Sequence, residues 1–311
     1  MQRIFTGLQP SGALHIGNYF GALKQTVEMF RDADGLVMIA DYHALTSLKD
    51  PQQLRSNIAD VVRDYIAVGL DPRKAVLFQQ SAVPEHTELA WIFDCLVTVP
   101  FLMQAHAYKD KVAKGLEANA GLFTYPLLMA ADILLYETDV VPVGADQRQH
   151  VEYAREAAAK FNAAFGDTFK EPQAKILDAV AVVPGTDGQK MSKSYGNTIP
   201  LFGTKDEIAK AVINIVTDSK GESPEHVYNI HRLFRSGESL AGLYKENKGK
   251  YKALKEALVE DIEALVAPMR QRRAAIADAD VKDILKDGAE RARAQASAKM
   301  AGVRQKIGVV L

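Results

Sequence analysis

The sequence predicts an α/β protein built on a doubly wound parallel sheet, with a smaller all-helical C-terminal part. Three observations carry this prediction. Short apolar runs alternate with amphipathic stretches through the first half of the chain. The apolar runs are nearly continuous, as suits strands buried on both faces. From about Thr204 glycines thin out, charge becomes dense and a helical period takes over.

Each element follows from its own residues. "RIFTG" reads as a first strand and "GNYFGALKQTVEMF" as the helix after it. "GLVMIADYH" suits a buried parallel strand. The next helix lies in "DPQQLRSNIADVVRDYIAVG", with Asp50 as N-cap, Pro51 in the first turn and Gly69 as the stop. "AVLFQQ" is a further strand and "EHTELAWIFDCLVTV" a further helix. Right-handed crossovers would gather the strand ends, and any site there, on one edge of the sheet. In the C-terminal part Leu254, Leu258, Ile262, Leu265 and Met269 keep close to a 3.6-residue period, and Pro268 is expected to kink or break that helix. A last helix is expected around "AERARAQASAKMAGVRQKI".

Length and composition bound the answer. With 311 residues and 48% hydrophobic content the chain can bury a sizeable core, and its length favours two domains over one. A net charge of −1 excludes a uniformly basic surface but leaves room for a local patch that meets nucleic acid. The single cysteine, Cys95, forms no internal disulfide and is expected to be a small buried apolar residue. No Cys/His spacing points to a metal site. The N-terminus leads straight into strand sequence, and no apolar run reaches the ~20 residues of a membrane span, so a cytoplasmic location is expected.

Three stretches carry chemistry. "LQPSGALHIGN" (residues 8–18) is a Gly- and Ser-containing turn between a strand and a helix, where backbone N–H groups and the helix dipole favour an anion. His15 and Asn18 can add hydrogen bonds to phosphate oxygens, although a plain strand-to-helix turn reads the same way. "GTDGQKMSKSYGN" (residues 185–197) is a glycine-bracketed, cationic, hydroxyl-rich loop suited to a polyphosphate. In "YPLLMAADILLY", Asp132 interrupts an apolar helix about one turn after Met129. A buried carboxylate needs a partner, either a local side chain or a donor on a ligand.

"HIGN" followed by "KMSKS" resembles the paired signature motifs of class I aminoacyl-tRNA synthetases, both of which bind ATP in that family. "QPSG", "IGNY.GAL", "YP.LMAADILLY" and "VPVG.DQ.QH" extend the resemblance over nearly the whole chain, toward the bacterial tryptophan branch. The resemblance implies a Rossmann-like catalytic domain over 1–203 that includes the KMSKS loop. It also implies a helical tRNA anticodon-binding domain over 204–290 and a C-terminal helix over 291–311 packing back on the catalytic domain. It implies a ligase that activates L-tryptophan with ATP and Mg²⁺ to the adenylate plus pyrophosphate, then transfers it to tRNA(Trp), working as a cytoplasmic homodimer.

By the same resemblance, Gln9, Pro10, Ser11, Gly17 and Asn18 line the ATP site, with Lys111 a further phosphate contact. Gly144, Ala145 and Asp146 meet the ribose and adenine side, assisted by Val182. Lys190, Met191, Ser192, Lys193 and Ser194 embrace the pyrophosphate end. His15, Asn18, Lys190, Lys193 and Ser194 are the catalytic candidates. Phe5, Gly7, His43, Met129, Val141 and Val143 wall the tryptophan pocket; Tyr125 and Gln147 hold the ammonium and carboxylate end. Asp132 would accept the indole N–H, the one donor that an indole ring has.

The chain departs from the family in carrying Tyr42 before the pocket histidine, Ala107 in "FLMQAHAYKDK", and His15 where many relatives have Thr. A tyrosine-specific enzyme shares both motifs but needs a second polar partner for a hydroxyl that donates and accepts. A paralogue that survives only as a binding module would commonly lose the lysines or the Gly-His turn. Of the other histidines, His86 is expected to cap or sit on the surface at a helix start, His106 either to approach the site or only to pack, and His150 to be a satisfied structural histidine. The runs "YKENKGKYKALK" and "RQRR" are solvated helix faces or tRNA-phosphate contacts.

Overall fold

The strand β1 (Arg3–Leu8) forms the centre of a five-stranded sheet of order β3-β2-β1-β4-β5, with β2 (Asp34–Ile39), β3 (Val76–Gln79), β4 (Val140–Val143) and β5 (Gln173–Ile176). Each pair of neighbouring strands is parallel, as the sequence predicts for strands joined by helical crossovers. The computed structural model describes residues 2–31, 33–113, 115, 118–144, 148–176, 183–217 and 224–310, without the side chains of residues 106, 107, 110, 111 and 148.

Side chains alternate across the sheet with the strand period of two. Phe5, Leu36, Met38, Val76, Phe78 and Val141 enter one core layer, under the helices Glu85–Asp94, Ala120–Leu134 and Arg148–Phe165. Ile4, Val37, Ile39 and Leu77 enter the other, with Val61, Val62 and Tyr65 of Pro51–Val68. Helices on both faces make the sheet doubly wound.

The predicted helix signals act where they stand. Asp50 accepts from the Gln52 and Gln53 N–H groups at 2.8 and 3.1 Å, and Gly69 ends the helix with φ 119°. Pro268 does not break its helix: Tyr251–Ala274 runs through it, with Leu258, Ile262, Val266 and Met269 buried on either side. The packing of those turns on the core outweighs the one backbone bond that proline removes.

The last helix begins earlier than its composition suggests and spans Asp278–Ile307. Ala292, Ala296, Met300 and Val303 bury one of its faces in the layer that holds Phe78 and Leu89. Gly288 lies against β3, the edge of the sheet, where a Cβ would stand 1.8 Å from the Leu77 carbonyl oxygen. The backbone of a paired strand cannot yield that distance without losing its register. Gly288→Ala is therefore expected to cost at least about 3 kcal/mol by lifting the helix off β3. Urea unfolding of the variant beside the wild type measures that loss.

Cys95 is exposed, not buried, because it follows the last turn of Glu85–Asp94 on the outer side. The guanidinium groups of "RQRR" are used internally. Arg270 pairs with Glu263, Arg272 donates to the Ala67 carbonyl, and Arg273 joins Asp60 and Asp64. Among the described residues no helix is long and apolar enough to cross a membrane.

Candidate active site

The strand order reverses at β1: the chain builds β2 and β3 on one side, then returns to lay β4 on the other. Ligands of open parallel sheets bind at the carboxyl ends of the strands beside such a switch point. A cavity of about 630 Å³ opens there. Phe5, Gly7 and Gln9 reach it from β1 and the turn after it, and Val141, Val143 and Gly144 from β4. Tyr125, Met129 and Asp132 share one face of Ala120–Leu134 at the i, i+4, i+7 spacing, and His43 comes from the short helix Asp41–Ala44 after β2. Tyr125 and His150, both lining the cavity, stand 3.1 Å apart between hydroxyl and Nε2.

Asp132 is the polar centre of this apolar cavity, at 1% exposure. His43 Nε2 donates to its Oδ2 at 2.8 Å, and His86 Nδ1 to its Oδ1 at 2.5 Å. The Gln80 amide spans both oxygens at 2.8 and 3.0 Å. Behind His86, the Tyr136 hydroxyl lies 2.7 Å from Nε2. Burial alone would push the Asp132 carboxyl up; the facing His86 and the hydrogen bonds from His43 and His86 outweigh it and hold the acid at about 2. The group is a carboxylate throughout the neutral range and can only accept.

The two sequence motifs meet each other beyond the turn that follows β1. The backbone of Ile16 donates to the Ile199 carbonyl at 3.0 Å, and that of Leu201 to the Leu14 carbonyl at 3.0 Å, so the "HIGN" turn is stitched to the chain just past "KMSKS". Asn18 Oδ1 accepts the His15 N–H at 3.0 Å, which fixes the helix start. The Gly17 N–H points at Met191 Sδ, 3.3 Å away. Lys193 Nζ donates to the Ser11 carbonyl at 3.0 Å. The loop itself is braced by buried Asn197, which accepts from the Ser192 N–H at 2.8 Å and donates to Asp187 at 2.7 Å and to the Lys190 carbonyl at 3.1 Å. The hydroxyls of Ser192 and Ser194 are 2.8 Å apart. Pro10 anchors the first turn by accepting from Asn57 at 2.9 Å.

Charge in this region favours an anion. Burial, then the nearby Lys193 ammonium, lowers the His15 imidazole to about 4, so it is neutral at physiological pH. Its Nδ1 is buried with no partner among the described residues. Partial burial lowers the Lys193 ammonium, with Asp64 opposing. No group of three His, Cys, Asp or Glu able to hold a metal ion occurs among the described residues.

The cavity thus gathers Phe5, Gly7, His43, Tyr125, Met129, Asp132, Val141 and Val143, while Ser11, His15, Gly17, Asn18 and the loop 190–194 cluster at the two joined motifs. Ala145, Asp146, Gln147 and Val182 lie outside the described residues, as does the side chain of Lys111. The expectation that His86 caps a helix or faces solvent is overturned: it is fully buried against Asp132. Sequence reasoning also passed over Gln80, Tyr136 and Asn197. The polar pair Gln79-Gln80 ending an apolar strand was the available signal for the first of these.

Comparison with known proteins bears on the same geometry. The family model described as class I tRNA synthetases (W and Y) matches residues 1–280. A tryptophan–tRNA ligase of Rhodopirellula baltica is 46% identical over 318 residues, covering 99% of each chain. One of Fusobacterium nucleatum is 47% identical over 327 residues, covering 100% of this chain and 99% of the relative. A crystal structure of the tryptophanyl-tRNA synthetase of Campylobacter jejuni, complexed with ADP and tryptophan, superposes with a TM-score of 0.93 at 43% identity, over 99% of this chain and 100% of that one.

Proposed function

The chain belongs to the class I tRNA synthetases of the tryptophan and tyrosine family, and we infer that it is a tryptophan–tRNA ligase. It activates L-tryptophan with ATP, forming tryptophanyl-adenylate and pyrophosphate, and transfers the amino acid to tRNA(Trp). The observation that carries the choice of amino acid is the buried Asp132 carboxylate in an apolar cavity. An indole offers one N–H and no acceptor, which an acceptor-only group matches; a phenol would also need a donor placed for it.

In this reading the tryptophan carboxylate attacks the α-phosphorus of ATP in line, and no side-chain nucleophile is needed. Phe5, Gly7, Met129, Val141 and Val143 exclude water around the ring, His43 and Asp132 orient it, and Tyr125 and Gln147 are assigned to its ammonium and carboxylate end. Gln9, Pro10, Ser11, Gly17, Asn18, Lys111, Gly144, Ala145, Asp146 and Val182 are assigned to ATP. The neutral His15 donates to a phosphate oxygen, and Lys190, Met191, Ser192, Lys193 and Ser194 follow the pyrophosphate as charge builds on it. The loop offers ammonium and hydroxyl donors rather than carboxylates, the donor set for phosphate oxygens. Mg²⁺ would therefore ride on the ATP phosphates and neutralise part of their charge. ATP–pyrophosphate exchange with tryptophan and tyrosine side by side tests the assignment; exchange driven by tyrosine alone would overturn it.

The division into a catalytic part (1–203), a tRNA-binding helical part (204–290) and a returning helix (291–311) is part of the same reading. With "RQRR" engaged internally, the run around Lys250 and Lys252 is the stronger candidate for tRNA phosphates. A cytoplasmic location belongs to the same reading, since the substrates it invokes are ATP, tryptophan and tRNA. A homodimer is supported by large apolar side chains left exposed within a short stretch of chain: Trp91 is 69% exposed, Val99 58% and Met103 52%. Trp91→Glu is expected to shift the protein to monomer at micromolar concentration, as read by sedimentation equilibrium. An unchanged dimer would place the interface elsewhere.

A further inference from the structure

We infer that His86 is a positioning residue for amino-acid selection: it clamps the far oxygen of the Asp132 carboxylate so that the near oxygen is presented to the indole N–H. This rests on the tryptophan reading above and adds to it a residue outside the pocket wall.

The argument begins from which oxygen meets which neighbour. His43 lines the cavity and bonds Oδ2, so Oδ2 is the oxygen on the ligand side. His86 is absent from the cavity lining, is 0% exposed, and bonds Oδ1 from behind. A carboxylate only accepts, so Nδ1 of His86 must carry the proton it shares with Oδ1. Its Nε2 can then accept from the Tyr136 hydroxyl, 2.7 Å away. The chain of donors runs one way, from Tyr136 through His86 to Asp132, and all three groups are buried.

Gln80 supplies the second brace. Its Oε1 accepts the Tyr42 N–H at 3.2 Å, which fixes the amide orientation and turns Nε2 toward both carboxylate oxygens. The two bonds on Oδ1 therefore come from side chains with no access to the ligand. On Oδ2, only the His43 bond comes from a residue that also lines the cavity, so it is the one an incoming indole N–H can share or replace. Without His86 the carboxylate loses its shortest anchor and is free to turn about its side-chain bonds. A site that reads one donor with one acceptor depends on that angle.

The test compares tryptophan with β-(3-benzothienyl)alanine, an amino acid of nearly the same shape with sulfur in place of N–H. Wild-type protein should favour tryptophan in kcat/KM by at least about 10²-fold in pyrophosphate exchange. His86→Leu should lower kcat/KM for tryptophan by roughly 30-fold or more while changing that for the thienyl analogue by less than about threefold. The KM for ATP should stay near that of wild type. His86→Asn, whose amide can donate where Nδ1 does, should restore much of the preference; Tyr136→Phe, which keeps the ring and removes the hydroxyl, should weaken it more mildly.

An equal loss with both amino acids in His86→Leu would make the residue merely structural and overturn the inference. So would an unchanged preference. If His86→Leu does not fold, the Asn and Phe variants decide: a preference identical to wild type in Tyr136→Phe, with none regained in His86→Asn, counts against the clamp. A wild-type protein that favours the thienyl analogue would instead remove the tryptophan reading itself, a result separable from the behaviour of the variants.

Discussion

Replacing Asp132 with Ala is expected to lower tryptophan-dependent pyrophosphate exchange by on the order of 10³-fold in kcat/KM, with little change in ATP affinity. Two effects combine. The indole N–H loses its acceptor inside a cavity walled by Phe5, Met129, Val141 and Val143. The same substitution strands the donors of His43, His86 and Gln80, each of them buried. A stranded buried donor costs about 1–3 kcal/mol, so the variant should also unfold more easily.

Asp132→Asn separates the two losses. It keeps the volume and one acceptor, but its amide NH₂ must face a neighbour that is itself a donor. Its stability should lie between those of wild type and the alanine variant, while its tryptophan KM rises steeply. Calorimetric ATP binding and thermal unfolding serve as controls, and wild-type exchange in both variants would remove Asp132 from the pocket. The pH dependence has a definite sign. The carboxyl is depressed to about 2 in the folded protein, so the stability it contributes is complete above the ordinary carboxylate pKa and is lost as pH falls toward 2. Tryptophan KM should accordingly show no titration from this group between about pH 5 and 8.

How far the sequence reveals this site depends on whether a residue's chemistry is local. Asp50 and Gly69 act on their own helix, so their roles are legible from neighbours alone, and β2 and β3 follow from nearly continuous apolar runs, with β1 a short strand-like stretch before them. β4 contains Pro142, and β5 is an edge strand whose "QAKI" is mostly exposed; neither carries an apolar run long enough to declare itself. Asp132 is visible as a charge in an apolar helix. Its partners are not, because Gln80 follows β3 and His86 lies in the first turn of Glu85–Asp94, far away in the chain, and the packing of that helix against Ala120–Leu134 brings His86 to the carboxylate. A histidine beside Pro84 and Glu85 looks like a surface residue until that packing is known. The turn Tyr19–Leu23, a π-helix directly after "HIGN", is likewise a product of packing, with Tyr19, Phe20 and Leu23 all buried.

Lys193→Ala is expected to slow adenylate formation by about 10²–10³-fold while tryptophan binds nearly as before. The geometry separates the two steps. Lys193 reaches the turn at Ser11, not the cavity, and neither it nor its loop lines the space around Asp132. Its ammonium is partly desolvated, which lowers its pKa yet strengthens its attraction for any phosphate that enters between the motifs. The charge is also held in place. Met191 is buried against Gly17, and Asn197 ties the loop from Asp187 to Ser192. A cation so placed acts on the departing pyrophosphate, where negative charge grows, more than on the bound substrates. Rapid-quench measurement of adenylate formation reads that step directly, and fluorescence titration with tryptophan supplies the control. Asn197→Ala offers a second route to the same point: it leaves both lysines but loosens the loop, so it should slow the same step by a smaller factor. If Lys193→Ala forms adenylate at the wild-type rate, the loop serves only to cover the site; if Asn197→Ala slows the reaction more than Lys193→Ala, the loop's shape rather than its charge drives the chemistry.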